Sequence, residues 1–356
     1  MNVIVFLVVL FIGYCLWTRT VGWGLKKLQC RRSFSKPAVF AGEEGKLVEV
    51  VRNDTPWILP WMRLESRVSP HIRLGNQENL HVSGEMSYCS LFTLLPYQQI
   101  RRTHRVRFLH RGAYDLGNAS LTAGDMLGLG RYSQSQMLSA PVLVFPRLLE
   151  ANEVPQPVAQ LMGELSGKQQ LLRDPFLVRG IRGYVPGDPV RDIHWPATAR
   201  MGQAQVRIRD FTVRTRLLVL LNVQHEDQQW NNVVPEKIED VMEHAISMAA
   251  TLCVNALRDG LAAGFGTNMA GENDAPVLML PEDGAAREEQ LLTAMAYLRL
   301  YRAEHFSALL DKLTAYSDMD ILIFSLYDSA TVQERIRQLR QNGNHVTLHI
   351  LEGGLL

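Results

Sequence analysis

With 356 residues, 47% of them hydrophobic and 21% charged, the chain is too long for one small domain and too apolar to be disordered. Thirty-seven Lys and Arg against 36 Asp and Glu leave a formal charge of +1, so no global field draws in nucleic acid. The four cysteines, Cys15, Cys30, Cys89 and Cys253, have no C-x-x-C spacing, which argues against a disulfide framework and a zinc ribbon.

Val3 to Trp17 runs fifteen residues without a charge. A bilayer core needs roughly 17–25 apolar residues, a length reached through Val21 and Leu25 if Arg19 snorkels to the headgroups. A signal peptide needs a basic region before the apolar run and a small-residue cleavage site, but only Met1 and Asn2 precede the run, so residues 1–25 are expected to be an uncleaved anchor. Arg19, Lys26, Lys27, Arg31 and Arg32 all follow it, and the positive-inside rule then places the remainder in the cytoplasm of a single-pass inner-membrane protein. Asn53-Asp54-Thr55 and Asn118-Ala119-Ser120 are then chance glycosylation triplets.

Residues 36–150 read as an all-β, sandwich-like domain. Leu47–Val51 and Met62–Val68 suit strands, and turn signals recur at Ser83-Gly84, Arg111-Gly112, Leu116-Gly117 and Gly124-Asp125. Between Arg102 and Phe108 the pattern alternates, His104, Val106 and Phe108 on one face against Arg105 and Arg107 on the other. The stripe Arg101, Arg105, Arg107 and Arg111 lacks interleaved aromatics, so a solvated face is expected and nucleic-acid binding is not. Residues 151–174, with Pro155 and Pro157, read as a linker.

After Arg214 the pattern becomes α/β, within a region taken as 175–356. Leu217–Leu221 and Ile321–Phe324 are apolar runs suited to strands buried on both faces. Ile238 to Leu252 has helical spacing, with Pro235 placed to open the helix and Gly260 to stop it. Leu261–Phe265 and Val277–Leu280 are further strands, Ala286–Leu300 and His305–Ala315 helices. Thr331 with Glu334 suggests a capping box, and His345–Leu351 a half-covered edge strand. Alternating strands and helices predict a mainly parallel sheet.

Between linker and sheet, Tyr184 to Arg200 contains Tyr184, Gly187, Asp188, Arg191, Ile193, Trp195, Ala199 and Arg200. Val185-Pro186-Gly187-Asp188 is a turn; Asp188 is placed to accept backbone donors and to pair with Arg191, and Pro196 to start a short helix ending near Gly202. These residues closely resemble the signature Y-x-x-G-D-x-x-R-x-I-x-W-x-x-x-A-R of the domain-of-unknown-function 58 family. Arg111–Tyr114, Gly124–Leu129 and Val144-Phe145-Pro146 resemble its β-region. The resemblance implies a C-terminal domain similar to a von Willebrand factor A domain and a partnership with MoxR-type AAA+ ATPases in complex assembly, with no established reaction. Relatives often carry two membrane spans where one is read here, and lysine where Pro196 stands.

A von Willebrand A domain holds Mg²⁺ through D-x-S-x-S after its first strand. Here Leu221 is followed by Asn222, Gln224 and Glu226, so the leading carboxylate is an amide and both hydroxyls are lost. A hard cation needs several oxygens, at least one anionic, and the site reads as degenerate, with no metal or other cofactor expected. His225-Glu226-Asp227 lacks a completing ligand, and Asp192 with His194 lacks a nucleophile motif. Gly163–Lys168 misses the P-loop spacing. The signature is read either as a polar clasp of Asp188, Arg191 and Arg200 with Trp195 packed on the sheet, which packing favours, or as a surface for a partner. The expected function is a membrane-anchored, non-enzymatic scaffold for a protein partner; the alternative is a metal-dependent hydrolase using the His225–Asp227 loop or Asp192 and His194.

Overall fold

The structure is a computed structural model that describes residues 2–75, 80–82, 87–125, 130–172, 178–185, 188, 190–209, 215–227 and 229–351. The chain divides into two compact units, Met1–Arg147 and Leu148–Leu356.

The first unit opens with helix α1 (Asn2–Lys26), whose span Ile4–Lys26 is long and apolar enough to cross a membrane. Among the described residues twelve strands follow: β1 (Gln29–Phe34), β2 (Ala38–Phe40), β3 (Glu44–Arg52), β4 (Leu59–Arg67), β5 (Ile72–Leu74), β6 (Leu80–Val82), β7 (Ser87–Leu94), β8 (Gln99–Phe108), β9 (Gly112–Asp115), β10 (Asn118–Gly124), β11 (Arg131–Met137) and β12 (Pro141–Phe145). They form antiparallel sheets ordered β1-β3-β8-β5 and β11-β10-β4-β7-β6, with a small mixed sheet β2-β12-β9. Leu47, Val51, Val106 and Phe108 from the first sheet meet Leu59, Met62, Leu64 and Leu121 from the second in one core, which makes the unit a sandwich. Full burial of one such side chain is worth about 1.5–3 kcal/mol.

Strand β8 bears out its alternation. His104, Val106 and Phe108 are buried, and Arg101, Arg105 and Arg107 face outward. Arg111, expected on the same solvated stripe, is instead buried beyond the strand's end. The sandwich also begins at Gln29 rather than 36, because Cys30 and Arg32 point inward along β1.

Charges occupy the middle of this sandwich. Arg32 Nε donates to Glu49 Oε1 at 3.0 Å and its Nη1 to Ser66 Oγ at 3.0 Å; Tyr88 donates to Glu49, and His104 Nε2 lies 3.1 Å from Glu49 Oε2. Burial alone would raise the Glu49 carboxyl, yet the His104 hydrogen bond, the Arg32 charge and the Tyr88 hydroxyl together hold it below its ordinary value. Burial pushes the Cys30 thiol up to about 12.

The second unit begins with α2 (Gln156–Leu172), where a linker was expected. Pro155 and Pro157 fall at the helix start, where a missing N–H costs nothing, and Val158, Met162 and Leu165 supply a buried stripe. Next come β13 (Val178–Gly183), a 3₁₀ turn (Val190–Asp192), α3 (Trp195–Met201) and β14 (Gln205–Arg209), with β13 and β14 paired antiparallel. The main sheet follows, from β15 (Arg216–Leu221), α4 (Glu236–Arg258), β16 (Ala262–Ala270), β17 (Pro276–Glu282), α5 (Arg287–Ala296), β18 (Arg299–Arg302), α6 (Phe306–Leu313), β19 (Asp320–Ser325), α7 (Ala330–Gln341) and β20 (His345–Ile350).

Its order is β17-β16-β15-β19-β20, parallel except for β17 and the short β18, both antiparallel to β16. Leu218, Leu220, Ile321 and Ile323 face α6 and α7; the intervening Leu217, Val219 and Leu221 are equally buried, so the sheet is covered on both sides. Two expectations change. Residues 299–302 form β18 rather than the end of a helix, and the cap of α7 is Ser329, whose hydroxyl accepts from Val332 N, while Thr331 donates to Asp227.

Candidate functional site

Two places in the second unit are candidates: the signature hairpin and the crevice at the carboxyl ends of the parallel strands.

The hairpin is held by its backbone. Tyr184 N donates to Ala204 O at 2.8 Å, His194 N to Gln205 O at 2.7 Å, and Ile193 bridges Val206. His194 caps α3: its Nδ1 accepts from Ala197 N at 3.1 Å, so the imidazole serves as an acceptor for an otherwise orphan helix donor. Pro196 sits in the first turn of α3, and Gly202 closes it at φ +67°, a left-handed cap that favours glycine. Asp188 accepts Val185 N at 2.9 Å, as its place in the turn suggests, but its ionic partner is Arg182, through Nη1 at 2.7 Å and Nη2 at 2.8 Å. That fork, with the Val185 N–H, holds the Asp188 carboxyl below its ordinary value.

Gly187 and the side chain of Arg191 lie outside the described residues. Ile193 is half-buried, Ala199 and Arg200 are exposed, and Arg200 makes no ion pair with a described residue. Trp195 does not pack onto the sheet: it is 65% exposed, and no residue of α3 is buried. Tyr184, Val185, Val190 and Met201 are exposed as well. The clasp expected from Asp188, Arg191 and Arg200 is replaced, at Asp188, by the pairing with Arg182. Between Tyr184 and Met201 the chain thus presents several large apolar side chains to solvent, where a purely structural motif would bury them.

The crevice lies where the order of strands reverses about β15, the position at which open α/β sheets bind ligands. It is filled by amides. Asn222 Nδ2 donates to Ser325 Oγ at 3.1 Å; Asn222 Oδ1 accepts from Gln224 N at 3.0 Å and Asn268 Nδ2 at 3.1 Å. Asn268 Oδ1 accepts from Val223 N at 2.9 Å, and Gln224 Oε1 from Phe306 N at 2.7 Å. All four side chains are buried, and every oxygen in the group already accepts a hydrogen bond from the protein. None is anionic, and the one carboxylate read with them, Glu226, is exposed on the loop. The donor set does not fit Mg²⁺. Asn268 and Ser325 were not singled out from sequence; each lies at or near the carboxyl end of its strand, and only the sheet order brings them to Asn222.

In the same loop His225 Nε2 lies 4.0 Å from Glu226, and Asp227 is tied to Thr331 at 2.8 Å. Among the described residues no three of His, Cys, Asp and Glu converge as a metal site.

The fold therefore defines a two-unit chain with an apolar helix, a β-sandwich and an α/β sheet whose ligand crevice is closed by its own amides. Residues 180–311, from β13 into α6, match the family described as protein of unknown function DUF58. No curated protein matches the chain. Among solved structures, Salmonella alpha-2-macroglobulin reacted with methylamine is similar at 13% identity and a TM-score of 0.26 over 33% of this chain and 9% of that one. A non-cellulosomal cohesin from Archaeoglobus fulgidus (10% identity, TM-score 0.24, 37% of this chain and 96% of that) and the bacterial hydrophobin BslA (10%, 0.22, 34% and 97%) are similar likewise. At these scores the likeness carries nothing about function.

Proposed function

We propose that this chain is a membrane-anchored adaptor without catalysis of its own, which grips a protein partner through the signature hairpin. The observation that carries the proposal is Trp195: a tryptophan 65% exposed, on a helix with no buried residue, beside exposed Val190 and Met201. Aromatic and apolar side chains rigidly held at a surface are the usual anchors of an interface. The backbone bonds to β14 and the Arg182–Asp188 fork supply that rigidity.

The α/β unit is taken as a von Willebrand factor A-like domain that has lost its metal. Strand order, the antiparallel edge strand β17 and the placement of Asn222 directly after the central strand support this assignment. The partner in this reading is a MoxR-type AAA+ ATPase, as the family resemblance implies, and the basic residues after the apolar helix support a cytoplasmic setting for both units.

The test is co-purification of the full chain from detergent with such an ATPase, under several nucleotide conditions. Trp195→Ala is expected to abolish recovery of the ATPase while leaving the melting temperature unchanged. An ATPase recovered equally with wild type and variant, or with neither, overturns the proposal.

A further inference from the structure

The apolar helix is not a free tether. From Tyr14 onward it lies against the sandwich: Tyr14 donates to the fully buried Asp125, whose carboxylate also accepts Gly130 N at 2.8 Å. Val21 and Leu25 are buried in the sandwich core, and Gln134 Nε2 donates to Leu25 O at 3.0 Å. Gly22 is required by this seat, since a Cβ there would stand 2.8 Å from the Tyr132 ring. Helix and strand β11 therefore run side by side, with the start of β11 level with Tyr14 to Thr18 and its middle level with Leu25.

This seat conflicts with an ordinary single span. The helix is exposed along its described side chains from Ile4 to Gly13, ten residues or about 15 Å of rise. A hydrocarbon core is about 30 Å thick. The rest of the span Ile4–Lys26 is the part that carries the sandwich on its flank. A membrane crossed by this helix must come up to the sandwich rim beside Tyr14.

The rim has the chemistry for that. Trp61 stands next to Gly124 across β4 and β10, gives its indole N–H to Asp125 O at 2.9 Å, and has the Arg131 guanidinium 5.8 Å from its ring centre. Tryptophan with a satisfied N–H and an adjacent cation is the composition of a membrane–water interface. Asp125, which would be costly at this depth if left alone, has its carboxylate oxygens satisfied by hydrogen bonds from Tyr14 and Gly130.

We infer that the rim of the sandwich around Trp61 and Arg131 is seated in the headgroup layer of the bilayer, clamped there by Tyr14–Asp125 and the Gly22–Tyr132 contact. The sandwich is then a membrane-surface domain of fixed tilt, with Arg131 directed to lipid phosphate. The inference rests on the helix being a membrane span, as proposed above.

The test uses the full chain in vesicles of phosphatidylethanolamine and phosphatidylglycerol, with Cys15→Ala and Cys89→Ser to remove the accessible thiols. Environment-sensitive labels are placed singly at Val8→Cys, Arg131→Cys and Met137→Cys, the last exposed and at the far end of β11, about 20 Å from the rim. Nitroxide lipids labelled at the headgroup or deep in the acyl chain then quench by depth. The expected result is deep-chain quenching at Val8 and headgroup quenching at Arg131 several-fold above that at Met137. Quenching at Val8 with Arg131 no higher than Met137 overturns the seated rim and leaves the anchor standing. No quenching at Val8 overturns the anchor and the inference with it.

Discussion

Both units bury a polar cluster, and the two clusters are opposites. In the sandwich, Arg32 and Glu49 put formal charge between two sheets, with His104, Tyr88 and Ser66 completing the bonds. In the α/β unit, Asn222, Gln224, Asn268 and Ser325 fill the ligand crevice with neutral groups. An ionic cluster depends on each partner, because removing one strands a charge in low dielectric. An amide cluster loses only hydrogen bonds. The lesson concerns function: the position where an α/β sheet ordinarily recruits a ligand is here satisfied from within, and the unsatisfied surface lies elsewhere, on the signature hairpin.

The largest expected effect is at Glu49. Glu49→Ala leaves Arg32 buried without its counter-charge and is expected to lower stability by about 3–5 kcal/mol, read by denaturant titration. Its dependence on pH has a definite sign. Because the folded Glu49 carboxyl is lowered, its contribution is complete above the ordinary carboxylate value of about 4.3 and is lost as pH falls through the lower folded value. The stability gap between wild type and Glu49→Gln should therefore narrow on acidification; a gap that widens would contradict the assignment.

Asn268→Ala comes next. It leaves Val223 N–H without its partner and takes one of two hydrogen bonds from Asn222 Oδ1, which keeps Gln224 N–H, at an expected cost of about 1–3 kcal/mol by the same titration. Trp195→Ala sharpens the contrast from the other side: an exposed residue should change stability by no more than about 0.5 kcal/mol while removing the ATPase from the pull-down. The smallest expected effect is that of millimolar Mg²⁺, which should leave the melting temperature unshifted because the crevice offers no anionic oxygen. A rise of several degrees would show that the amides rearrange to ligate a cation.

Much of the fold was legible because it follows local periodicity. The buried run Leu217–Leu221, the helix opened by Pro235 and stopped near Gly260, and the two faces of β8 all stand as the residues suggest. Local signals misled where they were ambiguous. Pro155 and Pro157 mark a helix start as readily as a linker, and Trp195 carries no periodic partner to say whether it faces core or solvent. Asp188 met its turn donor but paired with Arg182, six residues back, since the antiparallel strand folds that side chain over the turn.

By itself the sequence determined the strongly periodic strands and helices, the apolar length of the first helix, the family signature and the loss of the leading carboxylate at Asn222, since each is a property of neighbours along the chain. Only the tertiary structure decided that Asn268 and Ser325 close the crevice, that Arg32 and Glu49 meet inside the sandwich, and that Tyr14 reaches Asp125. Those contacts join residues from 17 to 111 positions apart. They are fixed by strand order and register, which depend on how whole faces pack and leave no mark in a local pattern.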